Sequence, residues 1–456
     1  MTDTPLVRDL ERTGQDHIVQ HLSKLEPSAR ARLERQLAEF DYDLVARLAD
    51  IAGQDGPERS VSDFEPAPVL PLSRPPESVR AARQIGAEAI GAGTVAAFVV
   101  AGGQGSRLGY DGPKGCYRIG PISGKSLFQV HAEKTLAAAR RHGAAIPFYV
   151  MTSRTNDAAI RSFFEQNDHF GLGGENVLLC PQRVLPAFDK AGRFILAAPD
   201  RVFVSPDGHG GAYHALLAGG ALDDMARRGI EHISYVQVDN PLVPTIDPLF
   251  IGEHIRAESD MSSKVLEKRE PMEKLGVFGY VDGELQVIEY SDMSDDLKRA
   301  RRHDGSLKYR YGSIAVHVID RQFARRMAEV DLPFHVARKR IPYVNTEGER
   351  IEPEEPNGRK VERFVFDAIP LARNPVVMEV SRADEFAPVK NAEGDDSPAT
   401  CRAALMARDR RRLARAGIVA PDDVAVEISP LFDLNADTLA EAGLSDLSGR
   451  DRIYLE

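Results

Sequence analysis

Cysteine is scarce in this chain: Cys116, Cys180 and Cys401 are the only three in 456 residues. Their spacing matches neither a paired zinc-ligand cluster nor a disulfide framework, which excludes both classes and fits a reducing cytosol. Long apolar runs are missing as well. No segment approaches the ~20 residues that span a bilayer, and the opening MTDTPLVRDLERTGQDH lacks the basic-then-apolar order of a secretory signal. Positive charge is not in excess, since 58 Lys and Arg against 69 Asp and Glu leave a formal net charge of −11. That balance argues against a general nucleic-acid surface while leaving room for a local basic pocket. There is no internal repeat and no long low-complexity segment. The expectation is a soluble, cytoplasmic globular protein without membrane or nucleic-acid partners; nothing in the composition speaks to its oligomeric state.

What is present is periodicity. From Leu6 to Gly53, apolar residues at Leu22, Leu25, Leu33, Leu37, Phe40, Leu44, Leu48 and Ile51 recur mostly every three or four positions, which predicts helices. The Pro-rich stretch FEPAPVLPLSRPPESVR (64–80) predicts an extended crossing, followed by a helix from about Ser78. After Gly93 strands and helices alternate. TVAAFVV (94–100), PFYVMTS (147–153) and HISYVQVD (232–239) read as buried strands, while 125–143 and 156–168 read as helices. Such alternation predicts a doubly wound α/β sheet. Asp282–Gly283 between two alternating runs predicts a hairpin, so the sheet is expected to be mixed. The expected division is an N-terminal helical segment with linker (1–85), a catalytic domain (86–394) and a small C-terminal unit (395–456) carrying the basic helix 401–417.

The segment VVAGGQGSRLGYDGPKG (99–115) holds six glycines, one arginine and one lysine directly after a buried strand. Glycine there lets backbone N–H groups reach a phosphate beyond the carboxyl end of the strand. The alternative is a tight turn bearing surface cations. Gly103, Gly105 and Leu108 do not complete GxGxxG, and no acidic residue ends a second strand about 20 residues on, which speaks against a nicotinamide cofactor. SGKS (123–126) is not a P-loop, because Gly120 stands one residue too close and no strand precedes the motif.

The same segment resembles the signature of uridylyltransferases that make UDP-sugars from UTP and a sugar 1-phosphate, and most closely the eukaryotic-type UDP-N-acetylglucosamine pyrophosphorylases. The resemblance continues in order through SGKSLFQVHAEK (123–134), QRVLPA (182–187), SPDGHGGAYHAL (205–216), VDNPLV (238–243), VLEKREPMEKLGV (265–277), VIEYSDM (287–293), YGSIAVH (311–317), PNGRKVERFVFD (356–367) and EFAPVKNAEG (385–394), covering roughly residues 60 to 430. It implies an α/β, Rossmann-like nucleotide-diphospho-sugar transferase fold with a mixed central sheet and small helical N-terminal and C-terminal extensions.

It also implies roles. Arg107 and Lys114 would grip the triphosphate and stabilise the leaving pyrophosphate, while Ala101, Gly102, Gly103 and Gly105 would bring backbone to the nucleotide. Asp239 would stand near an essential Mg²⁺, and Lys390 would meet the sugar-linked phosphate. Gln182 and Gly208 would recognise uracil, and Glu289, Gly276, His209 and Ser313 would face the sugar. Read from the residues alone, Asp239 serves equally as a turn cap, Glu289 as a solvent-facing strand residue and His209 as a turn histidine. Two positions depart from the acetylglucosamine pattern: His209 and Ser313 each stand where those enzymes carry asparagine. Both bear on the sugar, leaving UTP–glucose-1-phosphate or broad UDP-sugar pyrophosphorylase as the alternative activity and a non-catalytic nucleotide-sugar-binding protein as a third reading.

Overall fold

Six consecutive buried apolar residues, Val95–Val100, form the strand around which the larger part of the chain is built. The computed structural model describes residues 4–54, 61, 63–345, 348–432 and 450–456. The chain divides into two compact units, one of residues 60–181, 212–330 and 368–456, the other of residues 1–59, 182–211 and 331–367.

In the first of these the Val95–Val100 strand lies parallel to His232–Gln237 on one side and to Phe148–Ser153 on the other. Tyr311–Asp320 adds antiparallel to His232–Gln237, and Met261–Glu267 adds antiparallel to Tyr311–Asp320. The hairpin at Asp282–Gly283 joins Val277–Val281 to Glu284–Ile288. The result is a ten-stranded mixed sheet, as the alternation and the hairpin predict. Helix Leu127–His142 begins at Ser126, whose hydroxyl accepts from the Gln129 N–H, and stops at Gly143 with φ 67°. Helix Pro76–Gly91 starts two residues before the expected Ser78 because Pro76 suits a first helical turn. It crosses helix Pro248–Arg256 so closely that a Cβ at Gly252 would come 1.7 Å from the Ala82 carbonyl oxygen. The basic helix spans Pro398–Arg415, with a capping box between Ser397 and Thr400. It leads to a two-stranded parallel sheet of Ala425–Ile428 and Arg452–Leu455.

The other unit takes the four N-terminal helices, Pro5–Arg12, Asp16–Leu22, Pro27–Leu37 and Tyr42–Gly53. Their apolar faces close on Leu185, Phe188, Phe194, Val202 and Val361, which come from hairpins far along the chain. Fully buried Gln15 stitches the two layers, donating to the Gly192 carbonyl at 3.0 Å and accepting from the Phe194 N–H at 2.7 Å. The units therefore cut across the linear division at residues 85 and 394. Amphipathic helices need an apolar partner, and here it arrives from residues 182–211 and 331–367. Residues 55–60 and 62 of the expected N-terminal segment, and 433–449 of the expected C-terminal unit, lie outside the described residues. No helix among the described residues is long and apolar enough to cross a membrane.

Candidate active site

The glycine segment leaves the carboxyl end of the Val95–Val100 strand and folds back on itself: Lys114 N–H donates to the Gly103 carbonyl at 3.1 Å and Gly105 N–H to the Gly112 carbonyl at 2.8 Å. Its glycines serve different ends. Gly109 and Gly112 adopt positive φ, of 68° and 147°. A Cβ at Gly115 would sit 2.2 Å from the Phe128 ring, and one at Gly105 2.7 Å from Tyr110. A Cβ at Gly103 would meet nothing within 4 Å, so neither φ nor packing demands glycine there.

Asn156, almost wholly buried after the neighbouring parallel strand, donates its side-chain amide to the Gly102 and Gly103 carbonyls at 3.1 and 3.2 Å and accepts from Gln104 Nε2. A trans peptide places its N–H opposite its C=O. The N–H groups of Gly103 and Gln104 consequently point away from Asn156, and neither they nor the Gly102 N–H find an acceptor among the described residues. Successive uncommitted backbone donors of this kind can meet an anion and cradle it. Nothing in the sequence around Asn156 distinguishes it; its position beside the loop becomes legible only once the two strands are known to be neighbours.

Asp239 follows the next parallel strand. It lies two residues beyond the strand's end at Gln237, in a turn rather than in the strand. Lys114 Nζ stands 3.2 Å from Asp239 Oδ2, both side chains about four-fifths buried. Arg107 is exposed and has no ionic or hydrogen-bond partner among the described residues. The Asp239 carbonyl accepts from Val389 N–H at 2.9 Å, which brings Lys390 to the same end of the sheet. Lys390 Nζ is 3.9 Å from Asp396, a loose and half-exposed pair. Burial raises the Asp396 carboxyl pKa, Lys390 opposes that rise and Asp239 adds to it.

The backbone of this corner is held from below. Buried Asn240 donates to the Glu385 carbonyl at 2.8 Å and accepts from Ala387 N–H at 3.2 Å, which ties the turn to the neighbouring segment. Glu385 in turn accepts from Lys264 at 2.7 Å, and Lys264, with no exposed side-chain surface, also meets Asp247 at 2.6 Å. Burial disfavours that ammonium, but the two carboxylates outweigh it and raise its pKa.

Gly276, Glu289 and Ser313 come together. Val277 pairs with Gly312 on one side and with Ile288 on the other, so the same registers bring Gly276 opposite Ser313 and Glu289. Ser313 N–H donates to the Gly276 carbonyl at 2.8 Å, and a Cβ at Gly276 would lie 3.2 Å from Glu289 Oε1. Glu289 stands one residue past the strand expected to contain it, because the pairing ends at Ile288. Beside Ser313, Ala315 takes φ 53°, where three residues face one across a bulge.

Gln182, Gly208 and His209 belong to the other unit. Val184–Pro186 pairs antiparallel with Val204–Pro206, and the Asp207 N–H to Arg183 carbonyl bond extends the register so that Gly208 falls opposite Gln182. Gln182 is 3% exposed, and its Oε1 has no hydrogen-bond partner among the described residues, an orphaned buried acceptor. Gly208 has φ 71° and would press a Cβ within 2.5 Å of the Arg363 carbonyl, so it is glycine for conformational reasons as well. His209 is held as a structural turn residue would be: its Nδ1 accepts from Val365 N–H at 3.1 Å and its ring stacks on Phe364. Burial lowers its pKa to about 4, so the ring is neutral with its proton on Nε2.

The SGKS motif holds an internal carboxylate. Glu427 accepts from the N–H groups of Ile122 and Ser123 at 2.6 and 2.7 Å, while buried Lys125 pairs with Glu133 and Glu456. The three cysteines are buried and free. Burial raises the Cys116, Cys180 and Cys401 thiols to about 12, far from any nucleophile's range.

Comparison with known proteins agrees with this geometry. The family model for UTP–glucose-1-phosphate uridylyltransferase matches residues 76–437. UDP-N-acetylhexosamine pyrophosphorylase-like protein 1 of Homo sapiens is 39% identical over 90% of this chain and 85% of its own. UDP-N-acetylglucosamine pyrophosphorylase of Saccharomyces cerevisiae is 35% identical over 95% and 92%. Among solved structures, the uridine diphosphate N-acetylglucosamine pyrophosphorylase of Trypanosoma brucei, in complex with an inhibitor, superposes with a TM-score of 0.85 at 27% identity, covering 99% of this chain and 97% of the other.

Proposed function

The chain belongs to the UTP–glucose-1-phosphate uridylyltransferase family, nucleotidyltransferases, and on that premise we propose that it forms UDP-N-acetylglucosamine and pyrophosphate from UTP and N-acetylglucosamine 1-phosphate. The observation that carries the reading is the cradle of three uncommitted N–H groups at Gly102, Gly103 and Gln104, with Arg107 and Lys114 on the same loop. A phosphate oxygen of the sugar phosphate attacks the α-phosphorus of UTP; the new O–P bond forms as the bridge to the β-phosphorus breaks, and its electron pair leaves with pyrophosphate. Both reactants are anions, so the protein's work is positioning and charge neutralisation. The cradle, with Ala101 and Gly105 shaping it, orients the triphosphate. Arg107 and Lys114 meet the charge that grows on the leaving group, and Lys390 holds the attacking phosphate. The orphaned Gln182 Oε1 accepts a hydrogen bond from the uracil opposite Gly208, and Glu289, Gly276 and Ser313 receive the sugar.

A divalent cation, which we assign as Mg²⁺, fits the donor set. Asp239 offers a hard carboxylate, and no cluster of three acidic, His or Cys side chains gathers among the described residues. That suits a metal that takes one or two protein carboxylates and completes its shell with phosphate oxygens and water. When bound, it supplies charge neutralisation at the phosphates. The free, buried cysteines support a reducing, cytoplasmic setting.

One observation favours a second reading of the sugar. Ser313, through its N–H on the Gly276 carbonyl, sits against Gly276 and close to Glu289, and its short hydroxyl side chain brings no amide to the group. That supports a wider choice of hexose. Pyrophosphate release from UTP with N-acetylglucosamine, glucose and galactose 1-phosphates tests both readings. The acetylated sugar is expected to give the highest kcat/KM, with the others within about a hundredfold. A protein active only on glucose 1-phosphate overturns the first reading, and one inert on all three overturns the reaction.

A further inference from the structure

Behind the Asp239 turn lies a second, separately built basic cavity. Its volume is about 310 Å³, and Lys134, Arg141, Arg408 and Arg412 line it together with apolar Ile246 and Pro430. Three of these cations are tied into the protein in an unbalanced way. Arg408 and Arg412 share a single carboxylate, Asp409, at 3.1 and 3.2 Å, and Asp409 also accepts from Ile428 N–H at 2.9 Å. Lys134 makes no ion pair with a carboxylate among the described residues: it donates to the Pro241 carbonyl and, at 2.6 Å, to the Val243 carbonyl. Asp384, the acidic residue of the lining, is engaged by Arg411 at 2.9 Å.

Two guanidinium groups on the one carboxylate of Asp409, beside a Lys134 that feels Asp409 and Glu385 only at a distance, leave an excess of positive charge in a partly buried space, an arrangement that costs free energy until an anion joins it. Burial lowers the pKa of Lys134 and of Arg412, and the neighbouring Arg408 adds to both shifts. The apolar walls add a requirement for a ligand with a non-polar body. The cavity is also mechanically joined to the turn. Pro241 and Val243 are held by Lys134, and the intervening Leu242 carbonyl is approached by Arg408 at 3.4 Å. Three successive carbonyls after Asp239 and Asn240 therefore hang on the cations an incoming anion would recruit.

We propose that this cavity is an effector site for a small organic anion, a carboxylate or phosphate monoester carrying an apolar group, whose binding is transmitted to the Asp239–Val243 turn and alters turnover. The anion accepts from the third Lys134 donor and from Arg408 and Arg412, and its apolar part lies against Ile246 and Pro430. The effect on turnover rests on the uridylyltransferase reading; the binding does not.

The test is ¹⁹F NMR titration of the full chain with 4-fluorophenyl phosphate, beside the neutral 4-fluorobenzyl alcohol. Ala138→Phe fills the cavity and leaves every charge in place, and Arg412→Gln removes one cation while Arg408 keeps Asp409 paired. The parent is expected to broaden the phosphate signal saturably and not that of the alcohol. Arg412→Gln should weaken binding at least about tenfold, the loss of one charge-assisted hydrogen bond, and Ala138→Phe at least as much by occupying the ligand's space. Saturating probe should change pyrophosphate release at least about twofold in the parent and leave Ala138→Phe unaffected. Thermal melting shows that each variant is folded, and if Ala138→Phe is not, Arg412→Gln carries the binding test. No binding to the parent, equal binding of the neutral compound, or undiminished binding in a folded variant overturns the site. Specific binding with unchanged turnover in an active parent overturns the transmission.

Discussion

Asn156→Ala should damage nucleotide use while leaving the rest of the protein in place. The side chain holds two carbonyls, Gly102 at 3.1 Å and Gly103 at 3.2 Å, and through them turns the following N–H groups outward. Each such hydrogen bond is worth a net of about 0.5–1.5 kcal/mol. Losing both costs about 1–3 kcal/mol of preorganisation, which at about 1.4 kcal/mol per decade is a fall of roughly 5- to 150-fold in kcat/KM for UTP. Asn156→Asp keeps the shape but presents only acceptors to two carbonyls, and should fall further. The assay is the initial rate of pyrophosphate release with UTP varied at saturating N-acetylglucosamine 1-phosphate, with Mg²⁺ fixed and thermal unfolding recorded in parallel. KM for the sugar phosphate should stay within about twofold, because the cradle faces the nucleotide. If Asn156→Ala keeps the parent kcat/KM for UTP and shows only a lower Tm, the orientation argument is wrong and Asn156 is a packing residue.

Gly103→Ala should melt like the parent yet lose UTP affinity, since its Cβ meets no protein atom, whereas Gly115→Ala should unfold at lower temperature because Phe128 stands 2.2 Å away; melting curves with and without UTP separate them. Arg107→Ala and Lys114→Ala should each lower kcat by about 10²–10³ with a smaller change in uridine nucleotide affinity, as expected of groups acting on leaving-group charge; equal, mild losses in single-turnover rate and affinity would show a binding loop only. Asp239→Asn should lose activity that raised Mg²⁺ partly restores, and full activity at ordinary Mg²⁺ would remove Asp239 from the metal site. Ser313→Asn should sharpen the preference for N-acetylglucosamine 1-phosphate over glucose 1-phosphate in kcat/KM, while an unchanged ratio would show that Ser313 does not set the choice.

The alternation of strand and helix was readable because each element's periodicity is local, and the hairpin at Asp282–Gly283 because its turn chemistry is. The partners of elements were not. The N-terminal helices announce an apolar face, but nothing in residues 6–53 says that Phe188 and Val361 cover it. The glycine loop was legible as a candidate site, yet Gly105, Gly109, Gly112 and Gly115 have reasons in φ or packing, and only the folded chain shows that a Cβ at Gly103 would meet open space. Gln182 and Gly208 are 26 residues apart and become neighbours through a register that two short strands set. His209, expected at the sugar, has its Nδ1 engaged by Val365 N–H and its ring stacked on Phe364, contacts that come from some 156 residues away in sequence.

The charges of the site fall into two kinds, and burial decides which does what. Lys264, Asp247 and Glu385 form a triad around an ammonium with no exposed surface. Removing one partner there would strand a buried charge at a cost of several kcal/mol, so the triad is fixed and the backbone it holds is fixed with it. Through Asn240 and the Val389 to Asp239 bond, that rigidity sets where Asp239 and Lys390 stand relative to each other. Lys114 and Lys390 carry weaker ties, one partly screened contact at 3.2 Å and one at 3.9 Å. Each rests on a single carboxylate, and the half-exposed Lys390–Asp396 pair is of the solvent-screened kind worth about 0–1 kcal/mol, so exchanging Asp396 for a phosphate oxygen would cost little. A uridylyltransferase needs both properties at once: cations free to follow charge from substrate to leaving group, and a backbone that does not follow them. The first would be met by Lys114 and Lys390, each tied to a single carboxylate, and the second by a charged cluster built around a wholly buried ammonium.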